Sequence, residues 1–134
     1  MKYKLLDHTA DIYIQAFGSS IEEIFENSAY ALFDQIADIS TVRPTGEERI
    51  ELEDREKDLL LVDYLNELLY MHDAFRQLYS EFNVSFETGR LVSKVRGEEL
   101  DRERHVLKMD VKAVTYHMLE LNLADGYAKF IIDV

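Results

Sequence analysis

The sequence predicts an α+β fold: two helices packed on a largely antiparallel β-sheet, with the N- and C-terminal strands adjacent. Period-two strand patterns crowd both ends of the chain, two long blocks of helical spacing fill its middle, and the regular βαβ alternation of a parallel sheet is absent. With 134 residues and neither a linker nor an internal repeat, one domain over residues 1–134 is expected. A chain of that length buries roughly two-thirds of the surface its unfolded form exposes, so a sizeable core needs no staples.

Tyr3–Leu6 and Asp11–Phe17 read as strands, the second alternating Ile12, Ile14 and Ala16 against Tyr13, Gln15 and Phe17. Gly18 ends it. Ser20 with Glu23 three residues on forms a capping box, and Ile21, Ile24, Phe25, Ala29, Leu32, Phe33 and Ile36 recur at helical spacing, predicting a helix over about 20–37. Ser40, Pro44 and Gly46 mark a connection, and Arg49–Glu53 alternates as a short exposed strand. Leu60, Leu61, Tyr64, Leu65, Leu68, Leu69 and His72 form a broad apolar stripe, predicting a largely buried second helix over 57–79.

Phe82–Phe86 and Arg90–Val95, joined by Thr88–Gly89, are expected to form a hairpin. After a charged connection, His105–Leu121 is long and alternating, with Val111, Ala113, Thr115 and His117 sharing a face. Ala124–Gly126 turns the chain into a closing strand, Tyr127–Val134. There Phe130, Ile132 and Val134 face one side, and Lys129, Ile131 and Asp133 the other.

Composition excludes several functions. The chain has no Cys, which removes disulfides, thiolate metal sites and cysteine nucleophiles; a cytoplasmic setting fits that usage. No stretch approaches the roughly 20 apolar residues of a membrane span, so no membrane partner is expected. The net charge of -12 opposes direct nucleic-acid binding, which depends on Lys and Arg releasing counterions from phosphates. The charge is uneven: residues 20–63 carry thirteen acids against four bases, whereas residues 89–118 carry seven bases against five acids. Such an acidic block is ordinarily a solvated face; its functional reading is docking onto a basic protein, such as an enzyme that itself holds RNA.

Polar residues concentrate at Asp7-His8-Thr9-Ala10-Asp11, between two apolar flanks. Alone, Asp11 reads as a turn cap and Asp133 as a solvated strand residue. Together, if the two ends of the chain neighbour each other in the sheet, they share one hard cation. Paired carboxylates with main-chain oxygens and waters suit Ca2+ or Mg2+/Mn2+, and the Val134 carbonyl or terminal carboxylate adds an oxygen. His8 and Thr9 have local turn hydrogen bonding as their structural reading. His72 reads as a satisfied core histidine and His105, flanked by charges, as a surface residue. His117 divides evenly between a strand histidine packed under a helix and a functional group. No two histidines have zinc-ligand spacing, and neither a nucleophile elbow nor a glycine-rich phosphate loop is present.

Several of these blocks, taken in order, make the sequence resemble the archease family. They are Leu6-Asp7-His8-Thr9-Ala10-Asp11, Gly18-Ser19-Ser20-Ile21-Glu22-Glu23, Asn66-Glu67-Leu68-Leu69, Gly97-Glu98, Val111-Lys112-Ala113-Val114-Thr115-Tyr116-His117 and the closing Asp133-Val134. The resemblance implies a non-catalytic accessory protein of tRNA splicing. Its partner would be an RtcB-type RNA ligase, whose guanylylation and multiple turnover it promotes. It also implies a divalent-metal site on Asp11, Asp133 and the Val134 main-chain oxygen, and a role in activation for Lys112, with His8 and His117 as further candidates nearby. The main rival is a chaperone-like binding module that modulates an RNA-modifying enzyme such as a tRNA methyltransferase, which requires an exposed apolar patch. A small metal-dependent hydrolase is a third reading, disfavoured by the sparse ligand set.

Overall fold

A computed structural model describes residues 1–8 and 10–134. Residue 9, and with it part of the turn hydrogen bonding expected of His8 and Thr9, lies outside the described residues. The chain runs β1 (Tyr3–Leu6), β2 (Ile12–Phe17), α1 (Ile21–Ile36), a 3-10 turn (Ile39–Thr41), β3 (Gly46–Glu53), α2 (Lys57–Phe75), β4 (Gln77–Glu87), β5 (Arg90–Glu99), β6 (Ala113–Asn122) and β7 (Tyr127–Asp133). The class is α+β as expected, and the antiparallel strands divide into two sheets. One has the order β1-β2-β7-β6 and the other β3-β5-β4.

The Ser20 hydroxyl accepts from the Glu23 N–H at 3.1 Å, while the Glu23 carboxylate reaches back to the Ser19 N–H at 2.9 Å. Together they satisfy donors that the first turn of α1 leaves unpaired. Ile24, Phe25, Ala29, Leu32, Phe33 and Ile36 are buried along the helix. The helix stops at Ala37, whose extended backbone instead bridges Leu107.

Each helix touches both sheets: α1 packs on β2 and on β4, and α2 on β6 and β4. Phe25 stands edge-on to Phe86 and Phe33 edge-on to Tyr79, both with centroids 5.4 Å apart. The buried hydroxyls of Tyr64 and Ser93 meet at 2.8 Å, tying α2 to the middle strand of the smaller sheet. A fully buried Leu such as Leu60, Leu65 or Leu68 contributes about 1.5–3 kcal/mol of transfer free energy, and this shared apolar layer holds the sheets together. Among the described residues no helix is long and apolar enough to cross a membrane.

Three expectations need correction. The second helix ends at Phe75 rather than at 79, because Arg76 takes a left-handed conformation (φ 55°) and Gln77 already pairs with Glu99. Register with β5 overrides helical spacing there. The alternating run 105–121 is a strand only from Ala113. The residues before it cross as an irregular segment whose backbone bonds α1's end, Lys108 N–H to the Ile36 oxygen and Asp38 N–H to that of Val106. Within that segment His105 is buried, at 4% exposure, not on the surface. Its Nδ1 accepts from the Asp101 N–H (2.9 Å), which leaves Nε2 to donate to Glu98 (2.8 Å), so both ring nitrogens are satisfied without water.

Candidate functional site at the paired chain ends

The two ends of the chain meet through β2 and β7, the central strands of the larger sheet. Their register runs from Phe17↔Tyr127 to Ile12↔Ile132. Asp11 lies in a bend directly before β2 and Asp133 closes β7, so both sit at the end of the sheet where the register finishes at Ile12↔Ile132. Alternation turns Ile12, Ile14, Phe130 and Ile132 inward toward α1. By the same alternation Asp133 lies on the face opposite α1 with Ile131, which is itself buried at 2% exposure.

The same end of the sheet collects Lys112. Its N–H donates to the Asp133 carbonyl at 2.7 Å, and Ala113 is the register partner of Asp133. Its side chain is exposed. Val134 follows Asp133 directly and is also exposed. His8 is exposed and meets the Tyr13 ring edge-on at 6.0 Å, so it stands beside this end of β2.

His117 is not brought into the group. Pairing of β6 with β7 lapses between Thr115 and Glu120, Met118 adopts φ 58°, and His117 is exposed on that bulge, four positions beyond Ala113. Its exposure rules out the strand histidine packed under a helix, the structural alternative weighed for it.

Neither the Asp11 nor the Asp133 carboxylate is engaged by a hydrogen bond or ion pair with another described residue. The chain's other carboxylates include several locked in place, for instance Asp63 by Arg55 at 2.6 Å. Among the described residues no three His, Cys, Asp or Glu side chains converge as a metal cage. A cation here would take two carboxylates, a main-chain oxygen and several waters. That donor set is all oxygen on half-buried carboxylates, which suits a hard divalent ion and does not suit zinc.

One structural role was missed in the sequence. Asn66, on the buried side of α2, brackets the open edge of β6: its amide nitrogen donates to the Val114 oxygen at 3.0 Å and its amide oxygen accepts from the Val114 N–H at 2.9 Å. The side chain thus acts as a one-residue strand and fixes β6 two positions from Lys112. An amide on a helix stripe otherwise made of leucines was its sequence signal.

A model of the archease protein family matches residues 3–134. The chain belongs to the archease family. Protein archease of Methanothermobacter thermautotrophicus is 38% identical over 131 residues, 95% of this chain and 93% of that protein. The solution structure of Methanobacterium thermoautotrophicum protein 1598 superposes with a TM-score of 0.80 at 32% identity, covering 99% of both chains. The crystal structure of an archease, "possible chaperone", from Thermotoga maritima has a TM-score of 0.64 at 20% identity, covering 98% of this chain and 96% of that one, a likeness of fold. The archease match therefore spans both chain ends, and the blocks that first suggested the family lie within it.

Proposed function

We propose that this archease is a non-catalytic activator of an RtcB-type RNA ligase, promoting its guanylylation and repeated turnover through a divalent-metal site at the tip bearing Asp11 and Asp133. The observation that carries this reading is the β2–β7 register. It brings the end of β2 that follows Asp11 beside the end of β7 that carries Asp133, and neither carboxylate has a described partner, which supports this reading. Asp11, Asp133 and the Val134 main-chain oxygen would hold the ion, which when bound would neutralise phosphate charge. The chain's own part is positional. The Lys112 N–H clamps the Asp133 carbonyl, and the exposed Lys112 side chain supplies a positive charge at this end of the sheet.

The direct test is transfer of radiolabelled GTP to a purified RtcB-type ligase with a stoichiometric amount of this protein. Asp133→Ala is expected to fold normally and to lose at least about tenfold of the stimulation, the scale of one charged ligand removed from a shared ion. Undiminished stimulation would remove the metal tip from the mechanism.

A second reading, a chaperone-like module for an RNA-modifying enzyme such as a tRNA methyltransferase, draws on the word "chaperone" in the Thermotoga maritima description and on the exposed aromatic pair of Tyr70 and Phe75, edge-on at 6.0 Å. Light scattering of an aggregating client separates the two: suppression abolished by Tyr70→Ser with Phe75→Ser, but unaffected by Asp133→Ala, is the chaperone outcome.

A further inference from the structure

The smaller sheet leaves one edge of β4 unpaired, since β4 hydrogen-bonds to β5 alone. The Val84 N–H donates away from the sheet, to the Glu26 carboxylate at 2.8 Å. In an antiparallel ladder a residue's N–H and C=O point the same way and alternate along the strand, so Phe82 also directs both backbone groups outward. No hydrogen bond from another described strand or side chain reaches that outward pair. Beside it, between β4 and α1, lies a cavity of about 630 Å³ whose lining includes Lys2, Glu26, Tyr30, Ser80, Phe82 and Lys94. Ser80 sits at the bulge between Tyr79 and Glu81, and its hydroxyl is a buried side-chain polar atom without a hydrogen-bond partner among the described residues.

The charges around the cavity are not equivalent. Arg96 is met by Glu47 at 3.1 Å and by Glu81 at 4.0 Å, and Glu26 is occupied by the Val84 N–H. Lys94, on the central strand opposite Asn83, forms no ion pair among the described residues. Lys2 lies over the Tyr30 ring at 5.0 Å and forms no ion pair within 4 Å among the described residues, although its charge acts on Glu26 across the cavity. The cavity therefore offers an open strand edge, an unsatisfied hydroxyl and the ammonium of Lys94 without an ion-pair partner, with Lys2 close by.

We propose that the β4 edge at Ser80–Asn83 receives an extended, carboxylate-bearing peptide segment of a partner protein, which adds as a strand and sets its acidic side chain between Lys94 and Lys2. Strand addition supplies affinity through main-chain hydrogen bonds, and a pocket for an alternate side chain supplies selectivity. Glu26 is the end stop, filling the next donor so that the added strand terminates before Val84. Burial lifts the Glu26 carboxyl above its ordinary range, reinforced by Glu23 and Glu22 and opposed by the Val84 N–H and by Lys2. With a net charge of -12 the whole molecule repels acidic proteins, so the acidic residue belongs to a segment of an otherwise neutral or basic partner. The groove lies at the far end of β2 from Asp11, where the Lys2 oxygen accepts from the Phe17 N–H, and is independent of the metal tip.

The test presents an oriented library of acetylated, amidated heptapeptides to the full chain and to Lys94→Glu. The wild type should enrich Asp or Glu about fivefold at one position, and Lys94→Glu should enrich Lys or Arg there instead. In nuclear magnetic resonance titrations a selected peptide should shift the amides of Ser80 to Asn83. Its analogue N-methylated beside the acidic residue should bind about tenfold more weakly, the loss of one main-chain hydrogen bond. The proposal is overturned by selection that Lys94→Glu leaves unchanged, or by equal binding of the N-methyl analogue. It is equally overturned if free acetate reproduces the shifts at the same concentration, or if a second copy of the chain occupies the edge. Lys94→Glu leaves Asp11 and Asp133 untouched, so failure here is distinct from failure of ligase activation.

Discussion

Glu98 shows how a short sequence of charges can be an interior feature. Its carboxylate accepts from the Arg43 N–H at 2.7 Å and from His105 Nε2 at 2.8 Å, and it pairs with the Arg104 guanidinium. Burial alone would raise it, but these donors outweigh burial and bring the carboxyl down to about 2. A depressed carboxylate contributes stability that is present above its unfolded value, about 4.3, and is lost as pH falls through the folded value. Urea unfolding of the wild type and Glu98→Gln should therefore differ most at pH 5, with the gap narrowing toward pH 2.5. A gap that stays constant over that window would show that the charge itself does nothing. The alternation of 105–121 did not reveal this cluster, because the donors to Glu98 come from residues 43, 104 and 105 and charged neighbours mimic a surface segment. By contrast, the pairing of β2 with β7, which brings the two ends of the chain together, was legible, since both strands carry period-two alternation.

Among the elements, α1 was legible almost to the residue because its cap chemistry is local, whereas the end of α2 and the start of β6 depend on distant partners. Gly97 illustrates the second case. A Cβ there would stand 1.8 Å from the Leu78 oxygen, so β4 and β5 approach closely only where no side chain intervenes, and the bulge beside Ser80 follows from that approach. Asn66 carries the comparable dependence for β6. Replacing it with Ala removes two hydrogen bonds from Val114, whose side chain is buried, and leaves a backbone donor and acceptor without partners. The expected cost is about 1–3 kcal/mol in denaturant unfolding, with the Val114 amide exchanging faster than its neighbours on β7. Unchanged exchange at Val114 would mean that β7 alone holds β6 in place.

For the molecule as a whole, the last strand is structural as well as functional, because β7 is interior to the larger sheet and both β2 and β6 pair with it. The division of the strands into two sheets was not legible in the sequence: periodicity reports which residues face inward but not which layer they share. The meeting of the chain ends was legible, and it allows site and scaffold to be separated. A chain stopping after Ile132 keeps every register pair between β2 and β7 and loses the Asp133 carbonyl that accepts from Lys112. It should melt cooperatively, destabilised by about 1 kcal/mol, or a shift of a few degrees for a domain of this size. A chain stopping after Gly126 strips both neighbours of β7 of their ladder and exposes Phe130 and Ile132's partners in the core, a loss of several buried apolar side chains at about 1.5–3 kcal/mol each. That exceeds the 5–15 kcal/mol by which such domains are stable once the ladder itself is counted, so no cooperative transition should remain in circular dichroism melts. A cooperative melt for the shorter chain would place the folding core in α1, α2 and the β3-β5-β4 sheet alone, and the paired ends would then be an appendage carrying the site, not the frame that builds it.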